Sequence, residues 1–123
     1  MASPNIVGVT TILGITTSSQ LTTSPVSILS NAASSGRVFK INTILAANET
    51  ASTATVTVRY NDNAAGAGTT FALANGIDVG TKTSLVILDK ASSIYLEENR
   101  SITALSGTSS AIDLIISYES ISA

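Results

Sequence analysis

Apolar and polar residues alternate along most of the chain with the period of two that is typical of β-strands. The pattern is clearest in residues 54–60, where Ala54, Val56, Val58 and Tyr60 fall on one face and the residues between them are polar. A strand needs this separation when one face is buried and the other is wet. The segment therefore predicts a strand of an antiparallel sandwich.

Further short segments predict strands of the same kind, because they are rich in β-branched residues and end in turn-forming residues. They are residues 37–46, 69–73, 77–79, 85–88, 94–96, 101–104 and 111–120. Their spacing of about 8–12 residues is typical of a sandwich or barrel. We therefore predict an all-β fold, an antiparallel β-sandwich of the jelly-roll or immunoglobulin-like type, with an extended N-terminal arm.

The alternation also predicts which side chains point inward. In residues 37–46 the odd-numbered positions from Phe39 to Leu45, Thr43 included, are expected on one face. In residues 111–120 the even-numbered positions from Ile112 to Tyr118 are expected in the core.

Two local signals make the strand order more specific. Asn75-Gly76 is a strong β-hairpin signal, because a type I′ turn needs positive φ at both positions, and it predicts a hairpin that returns the chain through residues 77–79. The unbroken apolar run at residues 85–88 indicates either a central strand covered on both faces or a strand with one face against a partner.

The chain divides into two segments of different character. Residues 1–22 form a lead without a charged side chain, and residues 23–123 show regular strand-and-turn punctuation and form the predicted sandwich domain. The lead is either the first strand of that sandwich or an arm that pairs with a neighbouring protein by strand addition. The residues expected to bind the partner in the second case are Ile6, Val7, Val9, Ile12, Leu13 and Ile15.

Charge is sparse in this chain of 123 residues. Charged residues make up 11% of it and the net charge is −2, which favours association with other proteins. Binding to nucleic acid needs clustered Lys and Arg, whereas the six basic residues here are scattered and eight acids outnumber them. No stretch reaches the roughly 18 apolar residues of a membrane span. We therefore expect protein partners and neither nucleic acid nor membrane.

Reactive side chains are few. The chain has no histidine and no cysteine, which removes the Ser-His-Asp and Cys-His arrangements, thiolate metal sites and disulfides. Glu97 and Glu98 would point to opposite sides of an extended chain and are expected in a solvated turn. Lys82 and Lys90 lie in polar, turn-like contexts that do not favour a Schiff-base lysine. We predict a protein that is not an enzyme, without catalytic residues, cofactor or metal.

Other ligand signals are weak. The oxygen-rich residues 60–63 lack the spacing of a calcium loop and predict a plain turn. Tyr95 is the one aromatic residue expected to be exposed, which leaves a carbohydrate-binding or cell-surface-binding module as an alternative. Asn48 and Asn99 begin glycosylation-type triplets, which we interpret as chance matches because no basic signal region precedes the apolar N-terminus.

Several stretches resemble small virion structural proteins of tailed phages, with those of marine cyanobacterial myoviruses most similar. They are NAASSGRVFKINTILAANET (31–50), TVTVRYND (55–62), SLVILDKASSIYLEENRSITA (84–104) and DLIISYESIS (113–122), together with the opening MASPNIVGVTTI.

The resemblance implies a β-sandwich, no enzymatic activity and many copies in a virion. We expect a capsid decoration or stabilising protein, which binds itself, as a homotrimer, and other virion proteins such as the major capsid protein. A neck or tail component of the virion is the alternative within the same class.

Overall fold

The computed structural model describes residues 6–122, and within this range the chain forms nine β-strands and two single turns of 3₁₀ helix. The strands are β1 (Thr11–Gln20), β2 (Val26–Asn31), β3 (Arg37–Asn48), β4 (Ala54–Asn61), β5 (Thr70–Val79), β6 (Ser84–Leu88), β7 (Ile94–Leu96), β8 (Arg100–Ser106) and β9 (Ile112–Ser122). The 3₁₀ turns cover Ala64–Gly66 and Lys90–Ser92.

The strands form two antiparallel sheets. Sheet A has the order β1-β9-β3-β6, and β7 pairs with β3 beside β6; sheet B has the order β2-β8-β4-β5. Because β6 and β7 pair with different halves of β3, they act as one interrupted strand. The first strand then pairs with the last, the second with the last but one, and so on inward to the β4–β5 pair. This is the strand pairing of a jelly roll.

The prediction of an all-β antiparallel sandwich is confirmed, and the strand order distinguishes between its two forms. In an immunoglobulin-like sandwich the first two strands share a sheet. Here β1 lies in sheet A and β2 in sheet B. The chain is therefore a jelly roll.

The core lies between the two inner faces and is built from aliphatic side chains. The largest fully buried apolar residues are Leu21, Ile41, Ile44, Leu96, Ile112, Leu114 and Ile116 from sheet A and its connections, and Val56, Val58, Val79 and Ile102 from sheet B. The inward positions predicted for β9 are confirmed, since Ile112, Leu114, Ile116 and Tyr118 are all buried. Each such side chain contributes roughly 1.5–3 kcal/mol through its burial.

Strand β3 contains a β-bulge that reverses the predicted face of its second half. Ile41 pairs with Tyr118 and Thr43 with the next residue of β9, so Asn42 is an extra residue without a partner in the register. Beyond it Ile44 is fully buried, whereas Thr43 and Leu45 are only partly buried. The prediction is wrong for Thr43 and Leu45, because one inserted residue exchanges the two faces of a strand.

The predicted hairpin at Asn75-Gly76 is also wrong. Strand β5 runs through both residues and pairs with β4, where Val56 lies opposite Ile77 and Val58 opposite Ala74, so β5 carries an extra residue there. Gly76 has φ +61° and its N–H donates to Thr57 Oγ1 at 3.0 Å. A glycine-containing bulge and a type I′ turn both require positive φ, which explains why the dipeptide suggested a turn.

Residues 85–88 do not form a central strand. They belong to β6, an edge strand of sheet A, in which Leu88 is buried but Val86 is 55% exposed. The alternative, that one face of this strand lies against a partner, stays a prediction.

Only part of the uncharged lead belongs to a strand of the sandwich. Residues 11–20 form β1, which pairs with β9 along its whole length, and residues 6–10 precede it as a bend without a strand. Part of the predicted arm, residues 1–5, lies outside the described residues. The division into a lead of residues 1–22 and a domain of residues 23–123 stays a prediction.

Candidate functional site

The six apolar residues predicted to bind a partner fall into three groups. Ile6 and Val7 are exposed ahead of β1, and Val9 is half-buried there. Ile12 and Leu13, at the start of β1, are 56% and 51% exposed. Ile15 packs against the core. The structure therefore places Ile12 and Leu13 side by side on an accessible strand and assigns Ile15 to the fold.

Strand β1 is the outer strand of sheet A, and among the described residues β9 is its one neighbour in that sheet. The Leu21 N–H donates to the Ile112 carbonyl at 2.8 Å, in the same register as the rest of the β1–β9 pair. Hydrogen bonding alternates along an antiparallel ladder, so the odd-numbered residues of β1 bond to β9. The N–H and C=O groups of the even-numbered residues, from Ile12 to Gln20, therefore point away from the sheet.

Strands β1 and β2, on one side of the sandwich, carry no charged side chain of their own. These two strands are the edges of sheets A and B, and they contact each other. The sequence has no charged side chain before Arg37. We call β1 and β2 together the neutral edge. Its exposed apolar residues are Ile12, Leu13 and, on β2, Val26.

Sequence reasoning missed the exposed apolar residues on the opposite side of the sandwich. Phe71 was expected to point inward but is 55% exposed, and Ile77 on the same strand is exposed too. Two bulges in β5 disturb the alternation on which that expectation depended. With Val86 on β6, these residues give the β5–β6 side apolar character, although Asp78 and Lys82 add charge there.

The sequence suggested that both glutamates of the acidic turn after β7 are solvated, but only one of them is exposed. Glu97 is exposed, but Glu98 is only 4% exposed, and its Oε2 accepts a hydrogen bond from the Gly36 N–H at 2.6 Å. Its Oε1 has no hydrogen-bond partner. Glu98 thus braces the turn before β3.

Side-chain oxygens of residues 60–63, which were considered as calcium ligands, accept hydrogen bonds from within the protein. Asp62 Oδ1 accepts from the Thr69 N–H at 2.7 Å. Asn61 donates through Nδ2 to the Gly66 carbonyl at 3.1 Å and accepts through Oδ1 from Thr103 Oγ1 at 2.8 Å. In residues 6–122 no three acidic side chains converge as metal ligands.

The triplet that begins at Asn48 is not suited to carry a glycan. Asn48 is buried, and its Nδ2 donates to the Ser52 and Val79 carbonyls at 2.8 and 3.0 Å. Its Oδ1 accepts from the N–H and the hydroxyl of Thr50. All of its hydrogen-bonding groups are therefore used inside the fold.

A shallow cleft of about 400 Å³ opens at one end of β1 and β9 and is lined by Ser18, Ser19, Gln20, Asp113 and Ile115. Beside it Gln20 Nε2 donates to Glu49 Oε2 at 3.3 Å. A hydrogen bond to the Asp113 carboxyl group, together with its negative charge, raises the pKa of Glu49 above its ordinary value.

This pair makes the stability of the protein depend on pH. Because the pKa of Glu49 is higher in the folded than in the unfolded protein, the folded state binds more protons just above the ordinary glutamate range. Stability is therefore expected to fall as pH rises through that range, and Glu49→Gln should flatten the dependence. Thermal melts of both proteins across mildly acidic pH measure this; equal slopes would contradict it. The effect is small because Glu49 is solvent-exposed.

Aromatic side chains are divided between core and surface. Phe39 and Tyr118 form a ring pair with centroids 5.0 Å apart, and burial raises the pKa of the Tyr118 hydroxyl, an effect that the positive charge of Arg37 partly offsets. Tyr95 on β7 is 44% exposed, as the sequence suggested. Of the rings, Tyr95 and Phe71 are thus available to a ligand or partner.

Helices contribute little to the described chain, and none between residues 6 and 122 has the length and hydropathy to cross a membrane.

Comparison with known proteins identifies the fold and no family. No family model matches the chain, and no curated protein matches it. It is similar to a chain in the structure reported as "Bacillus endospore appendages form a novel family of disulfide-linked pili", with a TM-score of 0.55 and 15% sequence identity. The match covers 91% of this chain and 86% of that one. At this identity the likeness concerns the jelly-roll architecture alone.

Proposed function

We propose that this chain is a non-enzymatic structural subunit of a phage virion, and that it binds the outer capsid shell in many copies as a decoration or stabilising protein. The observation that carries the proposal is strand β1 of the neutral edge, which presents outward-facing backbone groups and exposed Ile12 and Leu13 without any charge. Natural proteins usually protect such edges with charge, proline or a bulge. An edge left open in this way suits a subunit that assembles with others.

Assembly in many copies would make a modest contact sufficient. A shell offers a lattice of identical sites, and two or more linked contacts raise the overall affinity well above that of one. Low charge helps here, because neighbouring copies bring little mutual repulsion to the lattice. Such a chain needs rigid shape and contact surface rather than a reactive group.

Copies of this chain cannot be joined to each other by disulfide bonds. The structurally similar chain comes from pili described as disulfide-linked, whereas this chain has no cysteine. Strand pairing and apolar contact are the means that its surface offers.

Quantitative mass spectrometry of purified virions of the phage that encodes the chain tests the proposal. A decoration protein is expected in a copy number comparable to that of the major capsid protein. A number of about a dozen or fewer would instead indicate a neck or tail component with cyclic symmetry. Absence from purified virions would overturn the proposal.

A carbohydrate-binding or cell-surface-binding module is the second candidate, and the exposure of Tyr95 favours it. Sugars stack on exposed aromatic rings, so glycan-array binding that Tyr95→Ala abolishes would support this function. Phe71→Ala is the matched control, since that ring is also exposed but lies on the other sheet. An array without signal would remove the candidate.

A further inference from the structure

We infer that β1 pairs with β1 of a second copy across a twofold axis, so that two copies of sheet A join into one continuous antiparallel sheet. The inference rests on the proposed function and deepens it, because it names a second copy of the chain as the partner that binds β1 of the neutral edge. It concerns the purified chain and is testable without a virion.

The outward backbone groups of β1 are available for hydrogen bonding to another strand along its full length. Five even-numbered residues, Ile12 to Gln20, direct their N–H and C=O groups outward from a strand of ten residues. The register with β9 is continuous from Thr11 to Gln20, without a bulge that would twist the edge away.

A twofold axis at Thr16 uses all of these groups. Thr16 then faces Thr16 of the second copy, Gly14 faces Ser18, and Ile12 faces Gln20. In this register each outward-facing residue exchanges two hydrogen bonds with its counterpart, about ten in all. A displacement along the strand in either direction leaves some of the outward groups unpaired.

The absence of charge allows β1 to pair with β1 of a second copy. A twofold contact places the strand opposite an identical copy of itself, and like charges directly opposite each other destabilise a sheet. Strand β1 has no charged side chain. Its side chains at the contact are hydroxyls, an amide, a glycine and Ile12, none of which opposes the pairing.

The other edges of the sandwich are protected, which disfavours a contact between β1 and a different strand. Strand β2 follows Pro25, has a bulge, and is covered at one end by the 3₁₀ turn, where the Ala65 N–H donates to Ser30 Oγ at 2.9 Å. Strand β5 is bulged twice and carries Asp78.

Strand β6 has only five residues and an irregular register with β3. The homotrimer expected of a decoration protein would require β1 to meet one of these protected edges, because a threefold ring needs two different surfaces.

Cysteine crosslinking tests the contact directly, because the chain has no cysteine of its own. In a hydrogen-bonded antiparallel pair the Cα atoms lie about 5.5 Å apart, within the range that a disulfide can bridge. Thr16→Cys is therefore expected to form an interchain disulfide rapidly with oxidised glutathione. Val86→Cys, on the opposite edge of sheet A, is the control and should crosslink at least tenfold more slowly.

Sedimentation equilibrium of the uncrosslinked proteins gives the second measurement. The unmodified chain is expected to be a dimer, and Thr16→Pro should raise its dissociation constant at least tenfold. The N–H of Thr16 points away from β9, so proline there leaves the β1–β9 ladder intact and circular dichroism should show an unchanged fold. Thr16→Lys places a charge at the axis without altering the backbone and should have the same effect.

A chain that stays monomeric at high micromolar concentration would overturn the inference. So would a Val86→Cys variant that crosslinks as fast as Thr16→Cys, since that would place β6 in the contact. A dimeric chain that is absent from virions would contradict the proposed function alone, whereas a virion protein that is monomeric in solution would contradict the β1 contact alone.

Discussion

Ile44→Ala is expected to lower the free energy of unfolding by about 2–5 kcal/mol, the usual cost of emptying a buried aliphatic site. Ile44 is fully buried between the sheets because the bulge at Asn42 turns it inward. Leu45 next to it faces the other side of sheet A and is partly exposed. Leu45→Ala is therefore expected to cost less than about 1.5 kcal/mol.

Urea unfolding followed by circular dichroism measures both variants under the same conditions. Uninterrupted alternation along β3 would reverse their order, because Leu45 would then be the inward residue. A greater loss for Leu45→Ala than for Ile44→Ala would show that the strand has no bulge.

Asn48→Ala is expected to cost about 2–4 kcal/mol, because the substitution leaves buried backbone groups without partners. The Asn48 amide donates to the Val79 and Ser52 carbonyls and accepts from Thr50. It thus connects the end of β3 to the end of β5 and to the turn before β4. An unpaired buried carbonyl costs about 1–3 kcal/mol, and water can compensate only at the more exposed Ser52 side.

Asn42→Ala is the matched control, since it removes the same amide from another position of β3. Asn42 Nδ2 donates to Glu119 Oε2 at 2.8 Å, but its Oδ1 is buried without a partner. Removing that orphaned oxygen offsets the loss of the hydrogen bond, so the net cost should be below about 1 kcal/mol. Equal midpoints of urea unfolding for the two variants would contradict the bridging role of Asn48.

The sequence predicted the fold class and most of the strands because period-two alternation depends on burial alone. The inward faces of β9 and β4 follow from this pattern: the predicted inward residues of β9 are buried, and on β4 Ala54, Val56 and Val58 are buried and Tyr60 packs against the core. The bulges in β3 and β5 could not be predicted. A bulge adds one residue on one strand relative to its partner, and that relation is visible only once the pairing is known.

The sequence indicated which segment carries the candidate site, but it did not indicate which residues of that segment are exposed. The absence of charge in the lead and its β-branched residues indicated a strand that must pair. Which of its residues face outward depends on β9, whose paired residues lie 93 to 111 positions further along the chain. The sequence therefore grouped Ile15 with Ile12, although Ile15 packs against the core and Ile12 is exposed.

The exposure of Phe71 on β5 was missed, and that of Val86 on β6 followed from only one of two alternatives, for a related reason. Phe71 and Val86 are large apolar residues in strand-like segments, and such residues are normally assigned to the core. Edge position and bulges keep them on the surface. They form a second region where a neighbour in a particle could bind, opposite the neutral edge.

Cryo-electron microscopy of the intact virion tests the central proposal most directly. We expect density for this jelly roll at repeated sites on the outer capsid, with the neutral edge facing a neighbouring protein. A capsid map at side-chain resolution in which every density is explained by other proteins would contradict it.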